Sequence, residues 1–129
     1  MTDPEAGDAV AFAHRMFDLA RAGSELLPGL VDKGVPANLT DAAGNTLLML
    51  AAYHGHARLT GQLAERGADV NAVNDRGQTP LAGAVFKDTR DVIVVLLDAG
   101  ADPDLGSPSA RDTAAYFEKP EILELFERP

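Results

Sequence analysis

Apolar positions in this chain fall into short blocks that come in pairs, and polar stretches carrying glycine separate the pairs. Leu81, Ala84 and Val85 recur at helical spacing. After the polar stretch Asp88-Thr89-Arg90-Asp91, a second apolar block runs from Val92 to Leu97. Thr79-Pro80 supplies an N-cap hydroxyl and a proline at the first helical position, where its missing N–H costs nothing. Gly100 falls where a helix C-terminus calls for a residue that accepts positive φ. Ala68 through Gln78 carries Asn, Asp and Gly77 and reads as an extended turn. One unit is therefore helix, tight turn, helix and hairpin-like loop.

The unit recurs. Gly34, Gly67 and Gly100 are spaced 33 residues apart. At the same period Gly44 pairs with Gly77, Thr46 with Thr79, Leu48 with Leu81, Ala51 with Ala84, Tyr53 with Phe86 and Leu63 with Leu96. A period in this range signals stacked units, each unable to bury its apolar face alone, so the end units need polar outer sides. Asp3-Pro4-Glu5 predicts a helix start, followed by Ala9, Phe12, Ala13, Met16, Phe17 and Ala20 at spacings of three and four. At the other end Pro120 starts a helix with Ile122, Leu123, Leu125 and Phe126 apolar and Glu121, Glu124, Glu127 and Arg128 solvated. Both ends read as amphipathic lids on the stack. Gly61 and Gly83 lie inside predicted helices, at a cost of about 0.5–1 kcal/mol each relative to Ala.

Thr79-Pro80-Leu81, Gly55-His56, Gly67-Ala68-Asp69-Val70-Asn71-Ala72 and Asp75-Arg76-Gly77-Gln78-Thr79 resemble the ankyrin repeat, and small stand-alone bacterial ankyrin proteins in particular. The resemblance implies an all-α solenoid in four parts. These are an N-terminal cap at about 3–40, full repeats at 41–73 and 74–106, and a shortened C-terminal cap at 107–129. The family commonly has Thr-Pro-Leu-His at the start of the first helix. Here Leu47 replaces the proline once, and Met49 and Ala82 replace the histidine in both units. The threonine–histidine network that staples neighbouring loops in the family is expected to be missing. A fold of modest stability, dependent on both caps, is the consequence.

The resemblance also implies a concave groove lined by first helices and hairpin tips. By position its contact residues are Ala42, Ala43, Asn45, Tyr53 and His54 in one unit, and Asp75, Arg76, Gln78, Phe86 and Lys87 in the next, with Met49 as a further apolar candidate. Tyr53 and Phe86 share a slot, so their rings are expected side by side. They either anchor a partner or fill the core, since aromatics do both. The implied function is a non-catalytic adaptor or inhibitor that binds another protein. An alternative, drawn from similar bacterial proteins, is an accessory to an oxidative-stress enzyme such as catalase, stabilising it or aiding cofactor supply.

Composition narrows the partners. A net charge of −9 argues against nucleic acid and against an anionic membrane surface, and would steer in a neutral or basic protein. There is no Cys, which removes disulfides, thiolate metal sites and cysteine nucleophiles. No apolar run approaches the roughly 18 residues of a membrane span, and the acidic start lacks the features of a signal peptide. A cytoplasmic monomer is expected. Arg outnumbers Lys and Ala is abundant, which hints at GC-rich coding and a bacterial source.

His54 and His56 are two residues apart and so do not share a helical face, and His56 reads as a structural cap of the second helix. No metal site, cofactor site or acid–base pair emerges from the twenty dispersed carboxylates. Val94 falls on an expected convex face, where a scattered apolar residue needs no explanation.

Overall fold

The computed structural model describes residues 4–128, so the expected cap Asp3 lies outside them. Its regular elements are helices. These are α1 (Pro4–Ala22), α2 (Leu26–Asp32), α3 (Leu47–Tyr53), α4 (Ala57–Glu65), α5 (Pro80–Lys87), α6 (Arg90–Asp98), α7 (Ala110–Tyr116) and α8 (Pro120–Phe126). No strand forms among the described residues, which hold only two isolated bridges, Thr40–Thr46 and Gly106–Ser109. The helices pair as helix–turn–helix units. α1, α3, α5 and α7 stack in sequence, each against the next, and α2, α4 and α6 form a second row behind them.

Local chemistry sets each start. Thr46, Thr79 and Ser109 are extended N-caps whose side-chain oxygens accept from the N–H groups of Met49 (3.0 Å), Ala82 (3.1 Å) and Asp112 (3.0 Å). All three caps are buried, and no buried side-chain polar atom is left without a partner among the described residues. Gly67 and Gly100 follow the second helices at φ 93° and 94°, as the capping pattern demands.

The core runs as one strip through the stack. Met16, Phe17, Ala20 and Leu27 meet Leu47, Leu48, Ala51 and Leu63, which in turn meet Leu81, Val85, Val92, Ile93 and Leu96. Ala110, Ala114 and Ile122 close the far end, with Leu123, Leu125 and Phe126 half-buried against them. The expected apolar stripe of α1 is only partly used: Ala9 and Phe12 are exposed, Phe12 at 46%. The reason is length. α1 has 19 residues and α3 has 7, about 28 Å against 10 Å at 1.5 Å per residue, so the first half of α1 projects past its neighbour.

Polar links replace the missing threonine–histidine network. The Asn38 side chain accepts from the Asp69 N–H (2.7 Å) and donates to the Gly67 carbonyl (3.2 Å). One period on, Asn71 accepts from the Asp102 N–H (2.8 Å) and donates to the Gly100 carbonyl (3.4 Å). Asn74 Nδ2 donates to Asn45 Oδ1 (2.8 Å), and backbone bonds Asp75 N–H to Ala43 O and Ser107 N–H to Gly77 O tie successive loops. Asp41 organises the first loop by accepting from the Ala43 and Asn45 N–H groups (2.9 Å each). Burial pushes its carboxyl up, but these bonds and the Asn45 amide outweigh it and hold the carboxyl below its ordinary range.

His56 does not cap α4 with its ring as expected; no side-chain cap bond forms there. The ring instead reaches back to the previous unit, where Nε2 bonds the Arg21 carbonyl at 2.7 Å and the imidazole lies flush on Gly23. Gly23 has φ +68°, and a Cβ there would fall 2.5 Å from His56 Nδ1.

Two stability predictions arise. Gly23→Ala should destabilise by at least about 2 kcal/mol, combining left-handed strain with the clash, whereas Gly67→Ala, with open space around it, should cost only about 1–2 kcal/mol. Denaturant unfolding of both variants checks the order, and adding His56→Ala to Gly23→Ala should recover part of the loss. Asn71→Ala should cost about 1–2 kcal/mol by unpairing two loop groups, and equal stability to wild type in the same assay would contradict the ladder.

Candidate functional site

The N-caps define a register for the exposed face. Seven residues after Thr46, Thr79 and Ser109 stand Tyr53, Phe86 and Tyr116, and the following positions hold His54, Lys87 and Phe117. This slot ends each first helix, and it faces solvent: Tyr53 is 43% exposed, Phe86 59% and Tyr116 80%. The aromatics therefore do not fill the core, one of the two roles open to them. Tyr116 escapes a strict 33-residue search because the last hairpin is three residues shorter, so the period lands on Lys119. Aligning caps instead of glycines would have found it.

Ring contacts run along this face. Tyr53 meets the His54 ring edge-on at 5.5 Å, and Lys87 Nζ sits 4.9 Å from the Tyr53 centroid. Phe86 meets Phe117 at 5.8 Å, and Phe117 meets Tyr116 at 5.0 Å, both edge-to-face. Tyr53 and Phe86 border the same cleft, and the nearest ring or cation contacts are Lys87 for Tyr53 and Phe117 for Phe86. Gly83 faces the Tyr53 ring on the neighbouring helix, where a Cβ would stand in ordinary contact, 3.6 Å away.

These rings line one side of a cleft of about 790 Å³, and the loops line the other with Asn45, Asn74, Arg76, Gln78 and Pro108. Of the residues expected at the site, Asn45, Met49, Tyr53, His54, Arg76, Gln78 and Phe86 border this cleft. Met49 lines the cleft but is only 6% exposed, so it belongs to the floor. Ala42, Ala43 and Asp75 are exposed on the loop tips away from the cleft, with Asp75 bonded to Ala43 through the backbone. Lys87 stands beside the cleft over Tyr53 without lining it. Sequence reasoning missed Asn74, Pro80, Ala82, Gly83, Asp112, Thr113, Tyr116 and Phe117, most of which follow from the cap register.

Two cations without a carboxylate partner among the described residues stand at the cleft. Arg21, Arg58, Arg66, Arg90, Arg111 and Lys119 each pair with a carboxylate. Arg76 and Lys87 form no ion pair among the described residues. Burial, and then the charges of His56, Arg21 and Lys87, push the His54 imidazole below its ordinary value. Asp112 is the one carboxylate lining the cleft among the described residues. No group of three or more His, Cys, Asp or Glu poised for a metal occurs among the described residues. The hydroxyls of Thr46, Thr79 and Ser109 are occupied as caps. The arrangement offers apolar anchoring and charge, with no assembled nucleophile and base.

Comparison with known proteins agrees with this architecture. A family model described as ankyrin repeats (3 copies) matches residues 16–107. An ankyrin repeat protein of Pseudomonas aeruginosa is 55% identical over 36% of this chain and 28% of its own length. An ankyrin repeat-containing protein of Treponema pallidum is 40% identical over 58% of this chain and 26% of its own. Serine/threonine-protein kinase 12 of Arabidopsis thaliana is 32% identical over 93% of this chain but only 27% of the kinase. The chain thus spans about a quarter of each of these three relatives. The crystal structure of the human ASB11 ankyrin repeat domain superposes with a TM-score of 0.75 at 31% identity, covering 86% of this chain and 52% of that one. Ankyrin repeats are protein–protein interaction modules, typically without catalysis of their own, and no described helix is long and apolar enough to cross a membrane. Repeat period, stacked helix pairs and family match converge on one assignment: this chain belongs to the ankyrin-repeat family.

Proposed function

We propose that the chain binds a protein partner in the cleft between its first helices and its loops, acting as a monomeric, non-catalytic adaptor or inhibitor. One observation carries this reading. Tyr53, Phe86 and Tyr116 occupy the same slot in three consecutive units, and all three expose their rings beside a cleft with mixed polar and apolar walls. Solvent-facing aromatics flanked by polar groups have the composition of interface hot spots. The scaffold holds them on short helices whose ends are fixed by caps and by the loop ladder. Little ordering is then needed on association, which lowers its entropic cost.

The test is a partner isolated by photo-crosslinking from the source cells and then measured in a binding titration. Tyr53→Ala with Phe86→Ala should weaken the isolated complex by about 30-fold or more, the scale of a lost hot spot of 2 kcal/mol. The loop-tip change Ala43→Ser should leave it unaltered. Unchanged affinity for the double variant, with thermal unfolding intact, would place the contact elsewhere.

His54 gives a pH prediction. Its folded-state value is depressed, so between the ordinary value of 6.5 and the depressed one the unfolded chain binds more protons than the folded chain. The stability it contributes is present above 6.5 and is lost as pH falls through the depressed value. The melting temperature should decline less on acidification in His54→Gln than in wild type, and NMR titration should place the His54 midpoint below 6.5.

A further inference from the structure

Resting on the groove reading above, we propose that the segment recognised in the cleft is a peptide with apolar anchors and one or two carboxylates, which engage Arg76 and Lys87. Among the described residues, six of the eleven basic side chains pair with carboxylates; Arg76 and Lys87, like Arg15, Lys33 and Arg128, do not, and what distinguishes these two is their place at the cleft. Arg76 lines the cleft from the loop side, opposite the rings of Tyr53 and Phe86. Lys87 is held at the mouth of the same cleft by the Tyr53 ring, 4.9 Å below its ammonium. His54, uncharged near neutral pH, adds a hydrogen-bonding edge beside them.

The cleft therefore pairs apolar rings with two cations, one on its loop wall and one at its rim. Arginine suits a carboxylate because its planar fork donates two parallel hydrogen bonds, while lysine supplies a point charge with adjustable reach. Asp112 lies on the other flank of the cleft, by the Tyr116–Phe117 cluster, and disfavours an acidic residue there. The charges thus impose a direction: the ligand carboxylate lies toward Arg76 and Lys87, with apolar anchors running on to Phe86 and Tyr116.

The overall charge of −9 sets a limit on this ligand. At long range the chain repels a polyacidic partner, an effect confined to about 8–10 Å at physiological salt. Net charge alone would favour a basic partner; the placement of the two cations favours a sparsely acidic, largely apolar segment instead. Contact chemistry decides the register, and screened long-range repulsion rejects densely charged competitors.

The experiment is selection from a displayed library of random 12-residue peptides against the full chain, followed by titration of the best synthetic peptide. Selected sequences should combine Leu, Phe or Trp with Asp or Glu. Replacing the peptide's carboxylate by the corresponding amide should weaken binding about tenfold, a common scale for one interfacial charge pair. Arg76→Gln with Lys87→Gln should abolish that difference while leaving thermal unfolding unchanged, and Arg76→Glu with Lys87→Glu should reverse it toward Lys-bearing peptides. Selection of neutral or basic peptides that still require Tyr53 and Phe86 would overturn this inference and spare the groove. Acidic peptides whose binding ignores Tyr53→Ala and Phe86→Ala, or the absence of any selected peptide, would overturn both.

Discussion

None of the four helix pairs can bury its own apolar face, and everything else in the structure answers to that constraint. Leu48, Leu81 and Ile93 are fully buried only because the preceding and following units cover them. Stability therefore resides in the seams. The seams are narrow, because the core is built largely from Leu, Val and Ala, and so polar bonds between units carry unusual weight. Asn38 and Asn71 hold the loops at a fixed spacing, His56 locks the first unit onto the second, and capping hydroxyls satisfy buried helix starts.

The groove is a consequence of the same geometry. The first helices α3, α5 and α7 are each only about two turns long and end at tight turns into the next helix, and the rings of Tyr53, Phe86 and Tyr116 at those ends face solvent. Stacking aligns the rings into a row. The charges add direction. Most cations are used in exposed ion pairs, several of them between units and each worth little singly, while Arg76 and Lys87 border the cleft without a carboxylate of their own.

Much of this was legible in the residues. Helix starts at Thr79-Pro80 and Pro120, the glycine stops and the unit period depend on interactions within one turn of chain, which local pattern records faithfully. Two readings failed for reasons of reach. Phe12 keeps perfect helical spacing with Met16 yet is exposed, because spacing reports the face of a helix and not how far its neighbour extends. His56 stands at a helix start like a cap, but its ring bonds an oxygen 35 residues earlier, a preference no local window contains.

The sequence by itself determined the architecture, since a 33-residue period of capped helix pairs admits only stacking as a way to bury apolar surface. It also excluded cysteine chemistry, since the chain has no Cys. The tertiary structure alone decided which residues meet across units. It placed Tyr116 in register with Tyr53 and Phe86 despite the shortened hairpin, exposed all three rings, drew Phe86 to Phe117 and Lys87 to Tyr53, and left Arg76 facing the cleft. The reason is physical: backbone pattern is set by forces acting within a few residues, whereas a binding surface is set by distances between residues that the chain brings together only once every seam has closed.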